Sequence, residues 1–135
     1  MTRVSSSVRQ QVRQRASGCC EYCRLPETYG ISRFHADHII PVRRHHGSKG
    51  VENLAWACVG CNTNKSSDIA SYDVDTGLLT PLYNPRTQLW DDHFEIIDGF
   101  IVGKTPVGRV TVHLLQMNIL GQVEMRRYLI KAGLW

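Results

Sequence analysis

Two sets of side chains in this chain have the types and spacing to hold metal ions, and the two sets interleave. Cys20 and Cys23 make one C-x-x-C pair and Cys58 and Cys61 make a second. A two-residue gap lets both thiolates of a pair reach one tetrahedral ion at about 2.3 Å. Two such pairs match a structural zinc site better than an iron–sulfur cluster, a redox dithiol or unligated core cysteines. The pairs are separated by residues 24–57, more than a short zinc ribbon spans. The ion would therefore join two distant knuckles, and its binding free energy would become folding free energy. The second set lies between and just after the pairs: Asp37-His38, then Asn53, then Asn62 directly after Cys61.

Cutting a phosphodiester requires an activated water and a cation that stabilises charge on the phosphorane and on the leaving oxygen. Asp37 and Asn62 offer oxygen ligands to a hard divalent ion and leave room for waters and phosphate. His38 suits the general base, because an ordinary imidazole with a pKa near ~6.5 can take a proton at neutral pH. Asn53 would orient the His38 ring or brace the loop through its amide, and Lys65 would meet a phosphate. Arg43, Arg44 and Lys49, with His45 and His46 between them, give the loop after Asp37-His38 a positive surface for a nucleic-acid backbone. Each feature alone is weak, since Asp-His pairs are common and a lone Asn is most often a turn or cap residue. Their order between two cysteine knuckles is what makes them specific. Cys19 is left as an odd thiol. His35 would share a strand face with Asp37, and His93 suits packing or capping beside Trp90 and Phe94 better than a substrate contact.

The elements that must position these groups can be read in part. Residues 5 to 16 carry a helical pattern, with Ser5 to Ser7 as caps, Val8 and Val12 on one face and Gly18 as a stop. Arg3, Arg9, Arg13 and Arg15 decorate that helix, as a solvated face or as a phosphate-contacting arm. Ile31 to Ile40 reads as a strand broken by Pro41, residues 42 to 52 as a loop, and Leu54 to Ala57 as a second strand. A helix then carries Asn62 and Lys65 on adjacent turns. Residues 68 to 85 are turn-rich, with a tight turn at Asp73 to Gly77. Asp98-Gly99, flanked by Ile96, Ile97, Ile101 and Val102, signals a two-residue hairpin. Thr105-Pro106 starts one or two closing helices, with a break between Met117 and Gly121 and a stop at Gly133. The apolar set from Leu114 to Ile130 is core or a dimer face, leaving monomer and homodimer both open.

Composition sets the outer bounds. The 135 residues suit one α+β domain, with a core at 19–66 and an extension at 67–135 packing on it. Hydrophobic residues make up 42% and charged residues 21%, ordinary values for a globular chain, and the net charge of +4 tilts toward a polyanionic partner. No stretch approaches the ~20 apolar residues of a membrane span, and the N-terminus lacks the apolar run of a secretory signal. A cytoplasmic setting is expected, where C-x-x-C pairs are metal ligands rather than disulfides.

The sequence D-H-I-I-P, then N-L, then C-x-x-C-N-x-x-K resembles the HNH endonuclease family, the ββα-metal nucleases, in its zinc-knuckle form. The resemblance covers residues 19 to 66 and implies a strand–loop–strand–helix core gripping one divalent cation. It makes Asp37 the first metal ligand, His38 the general base, Asn53 the orienting middle Asn, and Asn62 the second ligand where many relatives have His. An amide oxygen there favours Mg2+ or Mn2+. Cys20, Cys23, Cys58 and Cys61 match the structural zinc ligands. The segments Trp90 to Phe94 and Thr105 to Arg109 are similar to the tails of small stand-alone bacterial members. The implied activity is metal-dependent hydrolysis of double-stranded DNA, leaving a 5′-phosphate and a 3′-hydroxyl. The residues alone do not separate DNA from RNA. The competing reading is a non-catalytic zinc module that binds nucleic acid, which would need the four cysteines but not Asp37, His38 and Asn62.

Overall fold

A computed structural model describes residues 4–135. Helix α1 spans Ser6–Arg15, and the Ser5 hydroxyl caps it by accepting from the Val8 amide at 3.3 Å. Val12 is fully buried on its inner face. Gly18, at φ +71°, ends it with its amide on the Arg13 carbonyl. Arg15 donates to the carbonyls of Val51 and Leu54, so this arginine ties the helix to the core rather than decorating a solvated face. Arg3, also assigned to that face, lies outside the described residues.

Strands β1 (His35–His38) and β2 (Leu54–Ala57) pair antiparallel, with Asp37 opposite Ala55 and His38 opposite Leu54. All four β2 residues are buried, because α1 packs on this hairpin and Phe34 lies against Trp56. The strand is shorter than the expected 31–40, for a local reason. At Ile40 the backbone partner is replaced by a side chain: Asn53 Oδ1 accepts from the Ile40 amide at 2.9 Å and Nδ2 donates to its carbonyl at 2.8 Å. The expected loop at 42–52 contains a single helical turn, α2 (Val42–His45), which ends at His46 with φ +58°. Helix α3 (Val59–Lys65) follows the second knuckle, with the Cys58 sulfur accepting from the Cys61 amide at 3.4 Å.

The rest of the chain forms two more antiparallel pairs and three helices. Strands β3 (Ala70–Tyr72) and β4 (Leu79–Pro81) flank the Asp73–Gly77 turn, where the Asp73 carboxylate accepts from the Thr76 amide at 3.0 Å. The sequence signals that turn but not its strands, which are three residues each. The turn α4 (Trp90–His93) leads into β5 (Phe94–Ile97) and β6 (Phe100–Gly103). Asp98 and Gly99 both have positive φ, +49° and +84°, the geometry of a type I′ hairpin. Helix α5 (Pro106–Leu114) is capped by the Thr105 hydroxyl, and α6 (Leu120–Lys131) follows a break at 115–119. At that break Asn118 repeats the Asn53 device, pairing its amide with both backbone groups of Ile101 at 2.8 Å.

This extension lies on the N-terminal core. The Trp90 indole donates to the Tyr22 carbonyl at 2.8 Å, Asn64 Nδ2 donates to the Leu115 carbonyl at 3.0 Å, and Arg86 pairs with Glu21. Tyr83, Phe94 and Trp90 stack at 5.2 and 5.0 Å and continue the same hydrophobic core. The architecture is the expected small α+β domain, with six helices and three two-stranded sheets among the described residues. No helix among them is long and apolar enough to cross a membrane.

Candidate metal centre and active site

The two knuckles meet. The sulfurs of Cys20, Cys23, Cys58 and Cys61 all lie within 4.8 Å of one another, and all four residues are buried. The Cys23 and Cys58 sulfurs are 3.7 Å apart. A tetrahedron with metal–sulfur bonds of about 2.3 Å has edges of about 3.8 Å, so this cluster has the size of a four-thiolate zinc site. Their ionisation fits the same role. Hydrogen bonds from Cys20, Cys23 and Cys61 pull the Cys58 thiol far below its ordinary value, while burial pushes Cys20 far above it. Four crowded sulfurs cannot all ionise without a cation among them. No other group of three or more His, Cys, Asp or Glu side chains is gathered this way among the described residues.

One cation does approach the cluster. Arg126 of α6 is 1% exposed, donates to the carbonyls of Gly99 and Met117, and shares a cavity of about 200 Å³ with Cys23, Cys58 and Cys61. Its Nε is buried without a partner, and it has no carboxylate partner among the described residues. Burial pulls this guanidinium down and the Cys23, Cys61 and Cys58 sulfurs pull it back up.

Asp37 and His38 stand together at the end of β1. Asp37 is buried, and its Oδ2 accepts the Tyr22 hydroxyl at 3.0 Å and lies 3.2 Å from Lys65 Nζ. Burial pushes the Asp37 carboxyl above the usual range, against the opposing pull of Lys65 and Tyr22. His38 is half-buried. Burial pulls its imidazole down and outweighs the neighbouring Asp37 carboxylate, which keeps the ring neutral at neutral pH. Its backbone carbonyl accepts from Lys65 Nζ at 3.1 Å.

The remaining expected residues divide clearly. Asn53 is buried with its amide fully engaged on Ile40 and on the Ser48 carbonyl, so it braces the loop and does not touch the His38 ring. Asn62 is half-buried on α3, with no side-chain hydrogen bond among the described residues. Lys65 is where the sequence expectation needs correcting. It lies four residues after Cys61, on the same inward face of α3, and is 1% exposed. Its ammonium steadies Asp37 from behind instead of waiting at the surface for a phosphate. Arg43, Arg44 and Lys49 are exposed on the loop. His35 is exposed on β1, and His93 is held at 2.6 Å by the Thr105 hydroxyl beside the Tyr83 ring, a packing and capping role. Cys19 is half-buried next to the cluster and outside it.

Sequence reasoning missed Tyr22 and Arg126. The position of Tyr22 between Cys20 and Cys23 was a usable signal, because a knuckle that turns its cysteines onto one ion fixes its intervening side chains as well. Arg126 gave no local sign.

Comparisons with curated proteins and with solved structures found no match for this chain. A family comparison did, over the segment that builds both the thiolate cluster and the Asp37-His38 pair. Over residues 20–68 the chain matches the family model of the HNH endonuclease.

Proposed function

We propose that the protein is a metal-dependent endonuclease that hydrolyses phosphodiester bonds of double-stranded DNA, with His38 as general base. The observation that supports it best is the Asp37-His38 pair at the end of β1. There a buried lysine and a tyrosine hydroxyl hold the carboxylate while the neighbouring ring is kept neutral. A neutral, half-buried imidazole can take the proton of an attacking water. Asp37 Oδ1 and the Asn62 amide oxygen have no hydrogen-bond partner among the described residues, which leaves them free as oxygen donors. They suit Mg2+ or Mn2+. When bound, such an ion supplies positive charge to the developing phosphorane and leaving oxygen. The chain does the rest: Lys65 and Tyr22 fix the carboxylate, Asn53 fixes the loop, and Arg43, Arg44 and Lys49 attract the backbone. The four cysteines hold structural zinc and take no part in the chemistry.

Incubating the protein with supercoiled plasmid and Mg2+, Mn2+ or neither tests this reading. Nicking that requires the added divalent ion and is lost in Asp37→Ala and Asn62→Ala supports it. Tight DNA binding with no cleavage in either metal contradicts it in favour of a non-catalytic zinc module.

A further inference from the structure

A second basic cluster lies where α1 meets the segment leading into β1. Arg9, Arg13 and Arg33, with Gln10, Glu27 and the Trp56 ring, enclose a cleft of about 380 Å³. Three guanidinium groups share it with one carboxylate, and that carboxylate is taken: Arg13 Nε is 2.6 Å from Glu27. Arg33 is exposed and has no ion pair among the described residues. Arg9 is pulled below its ordinary value by burial first and then by the neighbouring Arg33 charge.

The like charges are held there rather than left to spread. Arg9 donates to the Phe34 carbonyl at 2.9 Å, and its guanidinium lies 4.7 Å over the Trp56 ring. The Trp56 ring forms part of the cleft wall. A fixed cluster with excess positive charge, unused N–H donors and an aromatic wall is complementary to an oxyanion. The flat fork of arginine matches two oxygens of a phosphate.

We infer that this cleft binds a backbone phosphate of the nucleic-acid substrate, as an anchor separate from the Arg43–Arg44–Lys49 loop. The inference rests on the nucleic-acid reading above. Arg33 is five residues before His38, so an extended chain places the two at most about 18 Å apart. Phosphates recur every ~3.4 Å of axis along each strand. A duplex with its scissile phosphate at His38 carries further phosphates within that reach, up to about five nucleotides away. Arg15, engaged with Val51 and Leu54, takes no part.

The test measures binding of a fluorescent 20-base-pair duplex across a series of salt concentrations. It uses the full-length zinc-loaded chain in a His38→Ala background, so that cutting does not interfere. Arg33→Gln and Arg13→Gln/Arg33→Gln are exposed changes whose folding is checked by thermal melting. One lost phosphate contact should flatten the log–log salt slope by about 0.9 and weaken binding about eightfold at 0.1 M salt, equally for duplexes of different sequence. Arg43→Gln/Arg44→Gln should add to that loss. An unchanged slope in Arg33→Gln, with the loop variant still weakened, overturns the cleft while leaving the nuclease reading intact. Inorganic phosphate, titrated at constant ionic strength, separates the two sources of the ligand. Millimolar phosphate that merely competes with the duplex supports the anchor. Saturation by micromolar phosphate without any effect of Arg33→Gln on duplex binding makes it a free-phosphate site and overturns the inference.

Discussion

Single side chains in this protein work by replacing backbone. Asn53 satisfies both polar groups of Ile40 and the carbonyl of Ser48, closing the loop that follows the Asp37-His38 pair. Asn53→Ala should leave these groups unpaired, lower stability by about 1–3 kcal/mol in urea unfolding, and reduce plasmid nicking by more than that loss of folded protein explains. Asp73 makes a separate prediction. Its carboxylate accepts both the Nε and Nη2 of Arg109 at 2.9 and 3.0 Å, and that hydrogen-bonded pair holds it well below the usual carboxylate range. Because the folded-state pKa lies below the unfolded one, the pair stabilises the fold fully above about pH 4 and loses that contribution as pH falls below it. Asp73→Asn should thus lower the urea midpoint at pH 7, and the gap to the parent protein should narrow at pH 3. The four-cysteine cluster was legible as residue types at spacings. Lys65 was not placed correctly, because what decides between a phosphate and Asp37 is the face of α3 it shares with Cys61.

Among the elements, the hairpin and helices around the centre were readable where local chemistry fixes them: the Ser5 and Thr105 caps, the Asp98-Gly99 turn, and the Gly18 and Gly133 stops. Strand ends were not, since β1 stops where the Asn53 side chain takes over pairing, and no local pattern announces a partner 13 residues away. The same loop turns so tightly at Gly47 that a Cβ there would lie 1.8 Å from the Ile40 carbonyl oxygen and 2.9 Å from Asn53 Nδ2. Gly47→Ala must push the two apart. We expect it to abolish nicking while leaving zinc content at one per chain, as measured by elemental analysis of the purified variant. Full activity in Gly47→Ala would mean that the loop geometry around Asn53 is not needed for the chemistry.

At the scale of the whole molecule, the thiolate cluster joins the N-terminal knuckle, α3 and, through Arg126, the C-terminal helix. A four-thiolate zinc complex carries excess negative charge, and Arg126 is the buried cation facing it. Arg126→Met should weaken zinc binding about 10–100-fold in competition with a chromophoric chelator, the range expected for partners just outside a metal's ligands. Unchanged affinity would reduce Arg126 to a clasp for the Gly99 and Met117 carbonyls. This link joins residues 23 and 126 with no motif between them, and so it was invisible in the sequence. In the proposed function one centre holds the fold while the other cuts. Single-turnover plasmid cleavage by His38→Ala, with zinc content and melting temperature recorded on the same sample, tests it most directly. The His38→Ala protein should keep parental zinc and near-parental melting, with a cleavage rate lower by about 10²–10⁴-fold. A folded, zinc-loaded His38→Ala protein that cuts at the parental rate would contradict it.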